Sequence, residues 1–324
     1  MHVTVGIDEA GYSPLLGPLV VSAAIFIHDD PIADWWRALG IPKARRGGLS
    51  DPLDRTCPPS PILPPVDDSK KIYTPSEGLE TLETSVLAFL TVSRDNPTSL
   101  RGLLDCLDSS ADPDEYPWYR RANVPLPVAA DPERIQSCAD ALRESLWNAR
   151  AEFRGFHAEP ILEGDLNRRI ALLRNKANVL LDATLDLVER SLMLTQPVQF
   201  LIDKQGGRDF YTDALSQFFF GSRVAPAVEG NNLSRYTMEF EGTRSDLSFC
   251  VRGDAAHLPI ALASMLSKYV RELFMILLNR YWQAIDPAIP HTSGYRTDGW
   301  KFISAVEASH KKTLVPRHLL IRDR

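Results

Sequence analysis

The sequence predicts an α/β protein, on three observations. Apolar, β-forming runs occur at residues 3–9, 19–27 and 197–204. Two long stretches, 165–194 and 258–282, instead carry apolar residues at helical spacing. The first and third of the β-forming runs end on acids, Asp8-Glu9 and Asp203, which gives the strand ends something to do besides turn.

The opening run, Val3 to Glu9, is followed by a Gly/Pro-rich segment, Gly11–Pro18, and then by Leu19–Ile27. Such a pattern reads as a hairpin. Side chains alternate faces along a strand, so Asp8 and Glu9 converge on one point only if the strand bends between them, and the Gly11–Pro18 turn is the expected source of that bend.

With 324 residues, a 44% apolar fraction and a net charge of −6, the chain has material for a substantial core. It is not a protein coated in basic residues, although a local basic groove is compatible with an acidic whole. No apolar run reaches the roughly 18 residues of a membrane span, and the first residues lack the pattern of an export signal. Cys57, Cys106, Cys138 and Cys250 are scattered, with no Cys-x-x-Cys pair. They point to neither zinc nor a disulfide framework, and a cytoplasmic monomer that avoids membranes is the expectation.

Along the chain, residues 28–66 read as an irregular excursion with a basic patch (Lys43, Arg45, Arg46) and a proline-dense run from Pro52 to Pro65. The Trp35-Trp36 pair within it reads as an anchor to the core, with a stacking platform as the alternative. Thr74, Pro75 and Glu77 read as a capping box opening a helix through Leu79, Leu82, Val86, Leu87 and Leu90. Residues 93–133 read as irregular, 133–150 as a helix and 151–163 as a strand. The stretch 165–194 is expected as one long helix. A helix at Phe210–Phe220, strands at Ser234–Phe240 and Leu247–Arg252, and a helix at Leu258–Trp282 follow. The end of the chain is locally basic, with Arg296, Lys301, Lys311, Lys312, Arg317, Arg322 and Arg324. The expected organisation is one domain over 1–324, with insertions at about 28–66 and 93–150 and a helical, basic extension at about 283–324. The insertions read as tolerated surface loops, with partner binding as the alternative.

Asp8/Glu9, Asp203 and Asp254 all sit at the edges of apolar elements. Carboxylate oxygens without His or Cys suit Mg²⁺ or Mn²⁺ rather than zinc. Four of them would suit two hydrated cations about 4 Å apart, the arrangement used for phosphodiester hydrolysis. Singly, each acid has a plainer reading: Asp254 as a helix cap, Asp203 as a turn residue. Lys70-Lys71, after Asp68-Ser69, reads as a solvated loop, with a phosphate grip as the alternative.

Taken together and in order, these segments resemble the ribonuclease HII family. Gly6-Ile7-Asp8-Glu9-Ala10-Gly11, continuing to Pro14-Leu15-Leu16-Gly17-Pro18-Leu19-Val20, is similar to that family's opening Gly-Ile-Asp-Glu-Ala-Gly-Arg-Gly-Pro and its following Gly-Pro-Val. Asp68-Ser69-Lys70-Lys71 resembles its Asp-Ser-Lys-Lys motif, and Ile202-Asp203 falls where the family places a third acid. Arg252-Gly253-Asp254-Ala255 with Ile260–Lys268 resembles its Lys-Gly-Asp-Ala segment and the helix after it. Gly294-Tyr295-Arg296-Thr297 resembles a Gly-Tyr-x-Thr element near its C-terminus. The resemblance implies an RNase H-like fold, a mixed β-sheet flanked by helices, here with irregular insertions. It also implies Mg²⁺- or Mn²⁺-dependent cleavage of RNA in RNA–DNA hybrids, or at ribonucleotides embedded in duplex DNA. By match, Asp8, Glu9, Asp203 and Asp254 would be the catalytic, metal-binding set; Gly11, Tyr12, Ser13, Ser69, Lys70 and Tyr295 would be substrate contacts.

Two departures stand out. Gly11-Tyr12-Ser13 replaces the family's Gly-Arg-Gly. Tyr12 lacks the charged fork of an Arg, and Ser13 adds a Cβ where glycine lets backbone approach closely. Arg271-Glu272 stands where the family usually shows Arg-Asp. The alternative to an active enzyme with shifted specificity is therefore a catalytically weak or inactive nucleic-acid-binding protein on the same fold.

Overall fold

The computed structural model describes residues 1–44, 63–192, 197–309 and 316–323. Cys57, Arg45, Arg46, Lys311, Lys312, Arg324 and most of the Pro52–Pro65 run lie outside them.

The elements in chain order are β1 (His2–Ala10), β2 (Leu19–His28), α1 (Trp35–Leu39), α2 (Ser69–Ile72), α3 (Glu80–Val92), α4 (Leu100–Cys106), α5 (Pro132–Asn148) and β3 (Ala151–Ile161). They continue with α6 (Glu163–Leu173), α7 (Lys176–Leu192), β4 (Val198–Asp203), α8 (Thr212–Phe218), β5 (Arg223–Val228), β6 (Leu233–Phe240) and β7 (Thr243–Cys250). The last are α9 (Gly253–Ala256), α10 (Leu258–Ile285), α11 (Arg296–Ser309) and α12 (Arg317–Leu320). A single mixed sheet of seven strands, in the order β3-β2-β1-β4-β7-β6-β5, runs through the molecule. β4 pairs parallel with both β1 and β7, and the other pairings are antiparallel.

Period-two alternation decides what each face buries. On β1, Val3, Val5 and Ile7 enter one core with α6, α7 and α8 residues such as Leu166, Leu185 and Leu215. On β2, Val20, Ala24 and Phe26 enter the opposite core, built on α3, α5 and α10. α10 is apolar around most of its circumference, as a central helix must be, and it crosses β1 and β2. At the crossing a Cβ on Gly6 would lie 2.1 Å from the Pro259 carbonyl carbon. Helix and strand backbones touch there, with no side chain between them.

The β1–β2 hairpin, α5, β3, β4, α8, β6, β7 and α10 fall where the sequence predicts them. Four expectations need correction. Thr74 caps no helix: its hydroxyl bonds the Glu77 carboxylate at 2.9 Å, closing a turn that ends on Gly78 at φ +79°, and α3 starts only at Glu80. The 165–194 helix is two helices, broken where Arg174 adopts φ +70°. The 93–133 stretch is not irregular throughout, because Ser99 caps α4 and Leu100, Leu103 and Leu104 are buried beneath it. Nor is it a surface loop, since Tyr116, Trp118 and Tyr119 are buried and pack on one another, with Trp118 against Trp282 and Tyr119 against Phe274. The sequence reading also missed β5, an edge strand whose Pro226 interrupts the pattern. Trp35 and Trp36 are buried in the core, which settles the pair as an anchor.

One buried acid organises a loop. Glu83 on α3 accepts from the backbone N–H groups of Val128, Ala129 and Ala130 at 2.6–2.8 Å and from the Tyr269 hydroxyl at 2.7 Å. Its carboxylate is wholly acceptor, facing four donors. Glu83→Gln turns one acceptor into a donor aimed at donors, and thermal or urea unfolding should register a loss of about 2 kcal/mol.

Candidate active site

The sheet places three of the four candidate acids by register. Ile7 pairs with Ile202 across parallel β1 and β4, so Asp8 and Asp203, one residue further along each, leave the sheet side by side. Asp203 in turn pairs with Cys250 at the end of β7. Two residues on, the chain turns through Arg252 at φ +54°, and the N–H of the next residue, Gly253, bonds Asp203 Oδ1 at 2.7 Å. Asp254, the next residue, opens α9 at the same corner.

Asp8 is buried, 7% exposed. Its Oδ1 accepts from the Glu9 N–H at 2.7 Å, and its backbone carbonyl accepts from Ser267 on α10. The expected bend between Asp8 and Glu9 is absent. The ladder to β2 runs unbroken through Asp8↔Ser22, Glu9↔Val21 and Ala10↔Val20, yet a side-chain hydrogen bond still joins the two carboxyl groups at the strand end.

The electrostatics tie the acids together. Burial, then Glu9 and Asp203, holds the Asp8 carboxyl well above the usual range. Burial raises Glu9 as well, with Asp254 adding to it and Asp8 and Lys70 opposing. Asp203 is pushed up to about 7, first by burial and then by Glu9 and Asp254. Asp254 is raised by burial and by Asp68, with Lys70 and Lys71 opposing. Crowded, half-desolvated carboxylates resist ionising in this way until positive charge arrives.

Lys70 is the cation felt by Glu9, Asp203 and Asp254 alike. It stands exposed on α2, whose N-terminus is capped by the Asp68 side chain. Ser69 lies just inside, its hydroxyl 3.1 Å from that of Ser264, which faces Asp8 and favours its ionised form. Asp68, Ser264 and Ser267 fall within the matched motifs but are not among the site residues expected from the sequence. The two serines are polar positions in an otherwise apolar helix stripe, and that is the signal which marks them.

The Gly11–Pro18 loop is propped from behind. Gly11 adopts φ +87°, and a Cβ there would meet the Pro18 carbonyl at 2.5 Å. Leu15 and Leu16 donate to the Gly294 carbonyl, which brings Tyr295 to the loop with its ring under the Arg271 guanidinium at 5.5 Å. Arg271 is buried and donates to the carbonyls of Leu16 and Ser293. Arg322, also buried, donates to the carbonyls of Gly17 and Tyr12. Tyr12 is half-buried beneath Lys176, 5.0 Å from its ring, and Ser13 is exposed, so its added Cβ meets solvent. The loop has lost the Arg of the resembled pattern, yet two guanidinium groups still back it from other elements. In the sequence Arg271 is marked by Arg271-Glu272 standing where the resembled pattern has Arg-Asp, whereas Arg322 appears only as one of several basic residues near the end.

Glu163 belongs to this support. Its Oε1 accepts from the Gly17 N–H at 3.1 Å and from the Tyr119 hydroxyl at 2.9 Å, while Oε2 is buried without a partner. Burial pushes the carboxyl up to about 7. Between the ordinary value of 4.5 and about 7, the folded protein holds a proton that the unfolded chain has released. Stability therefore falls as pH rises through that window, by at most about 1.4 kcal/mol per unit for this group. Glu163→Gln should flatten that part of the profile of melting temperature against pH, measured from pH 4.5 to 8 in EDTA.

All four acids are hard oxygen donors, a set that fits Mg²⁺ or Mn²⁺. Among the described residues, however, no three His, Cys, Asp or Glu side chains are grouped to hold one ion. The acids share a field, and Asp8 and Asp203 each have one oxygen committed to a backbone N–H.

No family model matches the chain, and no curated protein matches it. Among the solved structures it resembles are ribonucleases HII and HIII. RNase HII of Archaeoglobus fulgidus, in a complex with PCNA, aligns at 13% identity over 99% of this chain and 94% of that one, with a TM-score of 0.43. Ribonuclease H2 of Pyrococcus horikoshii OT3 aligns at 13% identity over 96% and 88%, with a TM-score of 0.41. Bst-RNase HIII, in complex with Mn²⁺, aligns at 16% identity over 99% of this chain and 66% of that one, with a TM-score of 0.39. At these overlaps the chemistry has to be read from the chain's own residues. No helix among the described residues is long and apolar enough to cross a membrane.

Proposed function

We propose that the chain is a divalent-metal-dependent endonuclease of the ribonuclease HII type. It hydrolyses phosphodiester bonds of RNA in RNA–DNA hybrids, or at ribonucleotides embedded in duplex DNA. One observation carries the reading: carboxylates from three distant segments raise one another's proton affinity at a single corner of the sheet, with Lys70 as the cation they share. Folding alone gives no reason to collect unpaired acids there, and perturbed groups gather where chemistry is done. Asp8, Glu9, Asp203 and Asp254 would hold the ions. When bound, Mg²⁺ or Mn²⁺ supplies the positive charge that in-line phosphodiester hydrolysis requires.

The chain's own groups do the rest. Lys70, with Ser69 beneath it, would meet a phosphate beside the acids. The Gly11-Tyr12-Ser13 loop and Tyr295 would meet the sugar edge, where a 2′-hydroxyl distinguishes RNA from DNA. Tyr12 in place of the guanidinium shifts that selection. The whole chain is read as one unit acting as a cytoplasmic monomer.

One observation favours the weaker alternative, a nucleic-acid-binding protein with little turnover: among the described residues, no three acids are grouped closely enough to hold one ion. The deciding experiment incubates the protein with a hybrid, a single-ribonucleotide duplex, DNA and RNA, each in Mg²⁺ and in Mn²⁺. Cleavage of the hybrid or the single-ribonucleotide duplex, and not of DNA or RNA alone, is the expected result. Binding without cleavage of any substrate, at protein in excess, would establish the alternative.

A further inference from the structure

At the far end of the sheet from the acids lies a groove of about 1160 Å³, between the end of β2, the start of β3 and the C-terminal ends of α3 and α5. His28 lines it, and His28 pairs with His2, six residues up β1 from Asp8. At about 3.3 Å per residue, that is roughly 20 Å from the carboxylates.

Three features of this groove point the same way. First, Trp147 on α5 is 82% exposed at its edge. A large indole left in water on a helix otherwise amphipathic in the ordinary sense has no packing role. Second, Arg94, Arg143, Arg150 and Arg154 face the groove against only Asp29 and Glu152. That is a net positive patch in a chain whose total charge is −6. Third, those arginines are not all occupied. Arg154 pairs with Glu152, and Arg143 with Asp140 and the Thr91 carbonyl. Arg94 and Arg150 make no side-chain hydrogen bond or ion pair among the described residues; each sits two residues beyond the end of its helix, Arg94 after α3 and Arg150 after α5. Arg143 and Trp147 are one turn apart on the same face of α5.

A flat π-surface flanked by uncommitted guanidinium groups has one natural complement. We infer that this groove binds a nucleoside phosphate, its base stacked on Trp147 and its phosphate held by Arg94 and Arg150. Stacking on an exposed aromatic together with arginine contacts to phosphate is how strands are held without sequence preference. The ligand can arrive as a free nucleotide or as part of a single strand. The groove exceeds the usual small-molecule range of about 300–1,000 Å³, which favours the strand. The inference does not depend on whether the carboxylates cut.

The test uses the full chain in EDTA, so that metal-dependent cleavage plays no part. The probes are fluorescein-labelled dT12, followed by anisotropy, and AMP, followed by quenching of tryptophan fluorescence. Wild type should bind dT12 at least tenfold more tightly than AMP. Trp147→Ala and the double variant R94E/R150E should each lose about tenfold in affinity for dT12. The charge-reversed protein should also show a salt dependence shallower by about 1.4 in log–log slope, for two phosphates. Trp147→Phe, which keeps a stacking face, should retain most of the binding and guards against a folding artefact. Equal affinity for the two probes would assign the groove to free nucleotides instead. Failure of wild type to bind either probe, or unchanged dT12 affinity in both Trp147→Ala and R94E/R150E, would overturn the inference.

Discussion

Asp203→Asn should abolish hybrid cleavage while making the metal-free protein more stable. Asparagine keeps an oxygen for the Gly253 N–H, so the α9 corner is expected to hold. The variant lacks the charge that would draw in a divalent ion. Removing a carboxylate that faces such an ion costs several kcal/mol of transition-state stabilisation, and each 1.36 kcal/mol is tenfold in rate. Cleavage should fall on the order of a thousandfold or more. Stability should move the other way, as the sign of the shift requires. Asp203 is held up to about 7 in the folded protein by burial and by Glu9 and Asp254. Above that pH the native state carries a charge it disfavours, and the penalty shrinks as pH falls from about 7 toward the ordinary value of 3.8, below which it vanishes. In EDTA at pH 8 the variant should therefore melt above wild type, and the gap should narrow by pH 5. A loss of cleavage accompanied by a lower melting temperature at pH 8 would point to misfolding and not to the proposed chemistry.

Gly6→Ala should be the most damaging small substitution in the sheet. Its Cβ would fall 2.1 Å from the Pro259 carbonyl carbon, 2.3 Å from its oxygen and 2.4 Å from the Ile260 nitrogen. All three are backbone atoms, so no side-chain rotation relieves the clash. Either α10 lifts from β1 or β1 shifts in its ladder. Overpacking of this kind typically costs 1–3 kcal/mol, and rigid backbone on both sides puts the expected loss at about 3 kcal/mol or more, measured by urea unfolding. The effect should extend to the candidate site. Ser264 and Ser267 on α10 reach Asp8 directly, so lifting the helix withdraws two hydrogen-bonding groups from the most buried acid. Cleavage should fall even in the fraction that remains folded.

The parts legible in the sequence were those set by short-range periodicity and by runs of apolar residues. The β1–β2 hairpin is signalled by its turn, β4 by its unbroken apolar run, and α10 by its stripe. The acids at their ends then mark the corner where β1, β4 and α9 meet. What local pattern could not reveal was decided elsewhere. Arg174 breaks a continuous stripe because the chain must turn between α6 and α7, and nothing in the residue itself favours φ +70°. The 93–133 segment looks irregular because its prolines obscure α4, whereas its aromatic residues are held by partners more than a hundred residues away, Trp282 and Phe274. Arg322 reaches the Gly11–Pro18 loop across some three hundred residues of chain, a contact that no spacing rule detects. Even the Asp8-Glu9 pair needed the ladder: unbroken pairing with β2 removes the expected bend, and the two carboxyl groups meet all the same.

The central claim is that Asp8, Glu9, Asp203 and Asp254 together take up divalent cations at one corner of the sheet. Titration of the protein with Mn²⁺, following the free ion by electron paramagnetic resonance, tests it without reference to any substrate. Wild type should deplete the free signal, and Asp8→Asn and Asp203→Asn should each weaken uptake by at least about tenfold, equivalent to 1.4 kcal/mol. Wild type that leaves the Mn²⁺ signal untouched at millimolar ion, or variants that bind as wild type does, would contradict the account.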